Sequence, residues 1–195
     1  MKHILLYLGP LLNLASAVPY VIDVVRLKTK PNIVSWSTWS LLTTIGTISV
    51  MTQAGFVAGL LPLSATLCTL SVVLLGSKYG FAKYTKADAI CQLSAIFGLV
   101  LWLVFDSPMI ALIAVIVIDA IACIPTVLHA IRSPQEETWI AFAISSFASL
   151  LTFLSINTYT AAKIAYPVFL TLGNALIATI MIVMRRKKGL SLSRK

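Results

Sequence analysis

Charge is what this chain has least of. Charged residues make up 11% of its 195 positions, and only six of them are acidic. A soluble domain of this length could not clothe itself in so little polar surface, and 59% hydrophobic residues with a mean hydropathy of +0.97 exclude that class. Cysteine is scarce too. Cys68, Cys91 and Cys123 lie inside apolar runs at no metal-ligand spacing, so they read as small packing residues, with neither a disulfide framework nor a metal site implied. The sequence also lacks an activated nucleophile, a metal cluster and a phosphate-cradling loop, so it is not read as an enzyme and no cofactor is implied. The longest segment outside the apolar runs is the tail Arg185–Lys195. Function is therefore expected within the bilayer.

What the sequence does have is apolar length. Asking for about 20 mainly apolar residues per crossing of a hydrocarbon core of roughly 30 Å, seven spans fit: Ile4–Val25, Ile33–Gln53, Phe56–Ser77, Ala89–Phe105, Pro108–Ile131, Trp139–Tyr159 and Ala162–Met184. The first is kept as a true helix, because Lys2 is a thin positive region and no small-residue cleavage site is convincing after Ser16. An all-α integral membrane protein is the expected fold class. With the N-terminus outside, thirteen of the fifteen lysines and arginines fall on the inner side, leaving only Lys2 and Lys163 outside. That asymmetry predicts a cytoplasmic C-terminus in a plasma or inner membrane. The net charge of +9 then reads as an attraction to the anionic inner leaflet, with no nucleic-acid signal in it.

A second regularity is internal. Val18-Pro19-Tyr20-Val21 through Arg26 returns 106 residues later as Ile124-Pro125-Thr126-Val127 through Arg132, with proline, valine and arginine in register. The match extends without a gap from Asn13–Val50 to Asp119–Ile156, and a second anchor, one residue out of step, matches Pro62, Thr66 and Leu67 to Pro167, Thr171 and Leu172. Two halves of three helices each are implied. Joined directly, they would run in opposite senses, and the fourth helix restores the orientation. The expected plan is 3+1+3: a first three-helix repeat over 1–80, a linker helix over 81–106, a second, parallel repeat over 107–184 and a basic tail over 185–195.

Costly residues within the spans mark the candidate site. Asp119 stands about halfway along the fifth span, where an ionised carboxylate costs at least ~2.5–3.5 kcal/mol, so it should be neutral and hydrogen-bonded to a neighbour such as Asn13, or line a wet cavity. The repeat sets Asn13 opposite Asp119 and Thr69 opposite Asn174. These four, with Trp39 as a flat apolar wall, are expected to converge on one midplane cavity. Tryptophans 36 and 39 share a helix face, and the shallower Trp36 is expected in the interfacial aromatic belt. Asp23 and Arg26 read as an interfacial ion pair on successive turns, and Asn32 as a cap of the second helix. Pro19 and Pro125 each free a carbonyl inside a helix, and are the candidate hinges.

The layout of three helices, a linker and three more, with Val18-Pro19 and Ile124-Pro125 low in the first helix of each half, resembles the PQ-loop superfamily and within it the SWEET-type sugar transporters. Arg26-Leu27-Lys28-Thr29-Lys30 followed by Ser35 resembles that family's basic segment, and Asn174 matches its pocket asparagine. The resemblance implies alternating-access movement of a sugar or related small polar solute without a cofactor. Asp119 opens a proton-linked variant, or one that recognises a cationic or hydroxyl-rich substrate. The expected partners are a small-molecule substrate and the lipid bilayer, and a homo-oligomer is compatible with the plan. The departures are specific: Tyr20 and Thr126 replace the signature glutamines, Thr69 stands where asparagine is usual, and Ser49–Gly55 replaces an aromatic helix end. A sorting receptor or scaffold of the same helix plan is the alternative, although the intramembrane basic residues that would bind a peptide carboxylate are missing. A retinal sensor would need a lysine inside the last helix, and Lys163 is at its outer edge.

Overall fold

In hydrocarbon a backbone must satisfy its own polar groups, and apolar runs of this length do so as helices. The computed structural model describes residues 2–54, 56–57, 59–104, 108–157 and 161–192. The chain is all-α over these residues. Seven helices follow one another as α1 (Lys2–Val25), α2 (Ile33–Ala54), α3 (Leu60–Tyr79), α4 (Lys86–Val104), α5 (Pro108–Arg132), α6 (Trp139–Ser155) and α7 (Ala161–Lys187), with a 3-10 turn at Pro134–Glu136 before α6. The expected boundary at 106/107 and the end of the basic tail, with Arg194 and Lys195, lie outside the described residues.

Among the described residues three stretches are long and apolar enough to cross a membrane: Ile4–Val25, Leu60–Tyr79 and Pro167–Lys187. Seven were expected. α6 is apolar but only 17 residues long, and in α2 the Ser, Thr and Trp residues dilute the aliphatic ones. The surface agrees with a membrane protein, since large apolar side chains stand exposed along the helices, Leu93 at 67% and Val104 at 71% on α4 among them. Water would not tolerate so continuous an apolar surface, whereas lipid tails solvate it.

Helix neighbours form a regular pattern. α3 packs against both α1 and α2, and α7 packs against both α5 and α6; the two groups meet through α1 on α6 and α2 on α5. α4 packs on α5 and α2. At Gly9, a Cβ would overlap the side chain of Thr152 and come within 3.1 Å of the Ala148 carbonyl, so the missing side chain is what lets α1 approach α6 so closely. α3 ends at Gly80, whose φ of 109° suits only glycine and whose N–H bonds the Gly76 carbonyl at 2.8 Å.

Local expectations fare unevenly. Asn32 does cap α2, its Oδ1 accepting from the N–H groups of Val34 and Ser35 at 3.0 and 3.1 Å. Pro19 and Pro125 are both buried within unbroken helices. Trp36 is not a belt residue. It is 8% exposed and sits in the core with Tyr20, Trp39, Val72 and Phe142, because its indole N–H finds an internal acceptor and the lipid interface has nothing better to offer it. Asp23 is likewise turned inward, accepting from Thr138 Oγ1 at 2.8 Å, while Arg26 is exposed.

Candidate functional site

Polar side chains in a membrane helix bond either to their own backbone or to a neighbour, and the choice decides what they can offer a ligand. Thr43 gives its proton to the Trp39 carbonyl at 2.7 Å, Thr69 to the Thr66 carbonyl at 3.1 Å, and Asn174 one amide proton to the Leu170 carbonyl at 2.8 Å. Ser16 donates to the Asn13 carbonyl at 2.5 Å, so the 2.7 Å contact between Ser16 and Ser145 must be a donation from Ser145. Asn13 reaches across to α3, its Nδ2 donating to Ser64 Oγ at 3.0 Å.

These groups surround a single cavity of about 110 Å³ between α1–α3 on one side and α5–α7 on the other. Asn13, Trp39, Thr69, Asp119 and Asn174 all line it, each from a different helix. Asp119 is 5% exposed, and Cys123 lies one turn below it on the same wall. The volume holds several water molecules, since one needs roughly 10–15 Å³ measured this way. Pro19 is not among the lining residues, and Pro125 lines a second, smaller cavity with Asp88, His129 and Arg132.

Aromatic residues close one end of the cavity, near where α1 ends and α2 begins. Tyr20 lies 4.6 Å from Trp36 and 6.1 Å from Phe142, and Trp36 lies 5.2 Å from Trp39, centroid to centroid. The Trp36 indole N–H donates to Tyr20 Oη, and that hydroxyl donates to Glu137 Oε2, both at 3.1 Å. Below them Val24, Ala130 and Met181 are sealed from solvent. Glu137, in the loop before α6, is wholly buried, and its Oε1 has no partner among the described residues. Burial is the main reason that its carboxyl is pushed up to about 8, with Glu136 adding to the rise and the Tyr20 hydroxyl and Arg185 opposing it. Arg185 pins the same loop through its backbone, donating to the Pro134 and Glu137 carbonyls at 2.9 Å each.

Sequence reasoning passed over Tyr20, Trp36, Phe142, Ser16 and Ser145 as lining residues. A signal was present. Asn13, Ser16, Ala17 and Tyr20 fall at i, i+3, i+4 and i+7, one face of α1, and Trp36, Trp39 and Thr43 repeat that spacing on α2. Glu137 gave no such signal, since a loop glutamate is ordinarily solvated.

The chain matches no protein-family model, no curated protein and no solved structure among those compared.

Proposed function

We propose that this membrane protein is an alternating-access transporter of a small polar solute, built as two parallel three-helix repeats joined by α4, with its N-terminus outside and its C-terminus in the cytoplasm. The observation that carries the reading is the meeting of Asn13, Trp39, Thr69, Asp119 and Asn174, from five helices, around one cavity between the two helix groups. Such a cavity at a repeat interface is where transporters of this construction bind their substrate. Two further features support it. The pattern of helix neighbours maps onto itself when α1, α2 and α3 are exchanged for α5, α6 and α7: α1 on α3 becomes α5 on α7, and α1 on α6 becomes α5 on α2. The layout also resembles the PQ-loop plan, and the aromatic plug over Val24 and Met181 would serve as an inner gate, with Pro19 and Pro125 as the hinges on which it opens.

The sorting-receptor alternative has less behind it, because no lysine, arginine or histidine is among the residues that line the cavity. The deciding experiment is solute entry into liposomes carrying the purified protein, read as counterflow of labelled substrate from a panel of sugars, amines and carboxylates. Saturable entry of any one solute, lost in protein-free vesicles, is the expected result; none across the panel would sink the reading. Tags ahead of Met1 and after Lys195 test the orientation. Accessibility of both from the same face of right-side-out vesicles would remove the linker-helix argument.

A further inference from the structure

The hydrogen bonds of the cavity have a direction. Ser16, Ser145, Thr43 and Thr69 each own one proton, and each has it engaged by an oxygen of the protein. Trp36 and Tyr20 also have theirs engaged, in the chain that ends on Glu137. What these groups turn toward a guest is lone pairs. Asn13 and Asn174 each have one of two amide protons engaged, which leaves each with a carbonyl oxygen to accept and a single N–H to donate. Among the described lining residues the one with a formal charge is Asp119, and none carries a cationic side chain. The remainder of the wall is rich in rings, with Tyr20, Trp36, Trp39, Phe142 and Phe169 all lining it.

Each feature favours the same kind of guest. A sugar would find only two amide N–H groups, on Asn13 and Asn174, against a wall otherwise made of acceptors, and an anion needs more donors or positive charge. An ammonium group needs acceptors, a counter-charge and π-electron density, the three things that this wall supplies. We infer that the substrate is a small protonated amine, its ammonium group held by Asp119 and the surrounding acceptor oxygens against the aromatic wall. This rests on the transporter reading and specifies its substrate class. The cavity volume of about 110 Å³ sets the scale at a molecule equivalent to several waters.

A pair of probes that differ only in the group at issue tests this on the unaltered protein. Ethanolamine and ethylene glycol share a skeleton and size, and one carries an ammonium where the other carries a hydroxyl. In proteoliposomes, labelled ethanolamine should enter saturably, faster under an inside-negative potential, with at least a tenfold preference over ethylene glycol. Binding is read separately from quenching of tryptophan fluorescence by ethanolamine, against Trp36→Phe and Trp39→Phe proteins as references. Asp119→Asn should cost tenfold or more in ethanolamine affinity, with folded yield followed by size-exclusion chromatography. If glucose or ethylene glycol enters and ethanolamine neither enters nor competes, the substrate class is overturned and the transporter reading stands. If ethanolamine quenches but nothing enters, the transporter reading falls and the ligand class stands. If nothing binds or enters, both fall. Should Asp119→Asn fail to fold, equal handling of the two probes by the unaltered protein would still overturn the inference.

Discussion

The two groups of three helices carry different chemistry at positions matched by register. Asn13 in α1 corresponds to Asp119 in α5, Tyr20 to Thr126, Trp36 to Phe142 and Thr69 to Asn174. Asn13 has a polar neighbour in its own group, Ser64 at 3.0 Å, and the residue matched to Ser64 is Phe169. The first group therefore holds its amide in a neutral hydrogen bond to a serine, while the second has a phenylalanine at the position matched to that serine. Lower down the asymmetry reverses. Tyr20 is long enough to reach Glu137, whereas Thr126 is equally buried and its hydroxyl has no partner among the described residues. Register symmetry builds the cavity, and departures from it furnish one group with the charge and the other with the plug.

The largest effect is expected from moving the charge across. If the two groups were interchangeable, Asn13→Asp combined with Asp119→Asn would leave amine uptake unchanged. Ser64 gives its one proton to the Leu61 carbonyl at 2.6 Å and accepts from the Asn13 amide, so a carboxylate at position 13 would face that oxygen instead of finding a donor and would be poorly placed to hold a cation. We expect the swapped protein to keep less than about one-tenth of the original uptake, a difference of roughly 1.4 kcal/mol or more. Full uptake in the swap would make the halves equivalent at this level.

The plug gives the next contrast. Tyr20→Phe leaves the Trp36 N–H without its acceptor and the Glu137 carboxyl without its donor, both buried, and should destabilise by about 1–3 kcal/mol. Thr126→Val removes a buried hydroxyl that has no partner among the described residues, and should be neutral or mildly stabilising. Equal losses in thermal unfolding would show the plug to be shared. The pH dependence sharpens this. The carboxyl of Glu137 is raised from 4.5 to about 8 in the folded protein, so its contribution to stability is fully present below pH 4.5 and is lost as pH rises through 8. Glu137→Gln keeps an oxygen for Tyr20 and removes the ionisation, so it should flatten the melting temperature across that window and raise it at pH 9. A profile identical to the original would place the titrating group elsewhere.

How much of this could be read from residues alone follows the kind of signal each element leaves. Asp119, Asn13 and Asn174 announce themselves because polar groups are expensive in lipid, and depth along an apolar run fixes their height. Helical spacing would also have yielded Ser16 and Tyr20 had the stripe below Asn13 been followed. Trp36 misled because tryptophan near a membrane interface fits a belt as well as a core, and only the Tyr20 hydroxyl decides between them. Glu137 was illegible: its burial depends on the Pro134–Glu136 turn folding back and on Arg185, 48 residues away, holding that loop by its carbonyls. Among the described residues three spans meet length and composition where seven were expected; the serines and threonines of α2 make it look too polar to cross, and α6 is short.

Smaller effects are expected at the prolines. Both are buried within continuous helices, Pro125 beside the smaller cavity and Pro19 directly before the plug tyrosine. Alanine at either position restores a backbone donor and should stiffen the helix, so transport should slow by several-fold with folded yield nearly unchanged. Pro19→Ala should slow it more, since its neighbour Tyr20 must move for the inner end to open. Wild-type rates in both proteins would leave the prolines as passive bends.

The smallest effect should come from a pair of register partners that bond each other in the open. Lys30 and Glu136 occupy matched positions, and they bond each other at 2.6 Å across the inner face, beside a backbone bond from the Lys30 N–H to the Glu136 carbonyl. Lys30 is half exposed there. An ion pair so open to solvent is worth about 0–1 kcal/mol and is screened by salt, so Lys30→Ala should shift the melting temperature little and less still in high salt. The backbone bond survives that change. Reversing both charges, Lys30→Glu with Glu136→Lys, should restore whatever the single change removed, because only the sign of the pair is exchanged. His129, 3.5 Å from the Glu136 carboxylate, would then face an ammonium, and in its protonated form would oppose that recovery at acidic pH. Recovery at pH 8 that fails at pH 5.5 would identify His129 as a third member of the contact; failure at both would mean that the charges add nothing to the bonds that the backbone and the Thr29–Thr138 hydroxyls already make between the two loops.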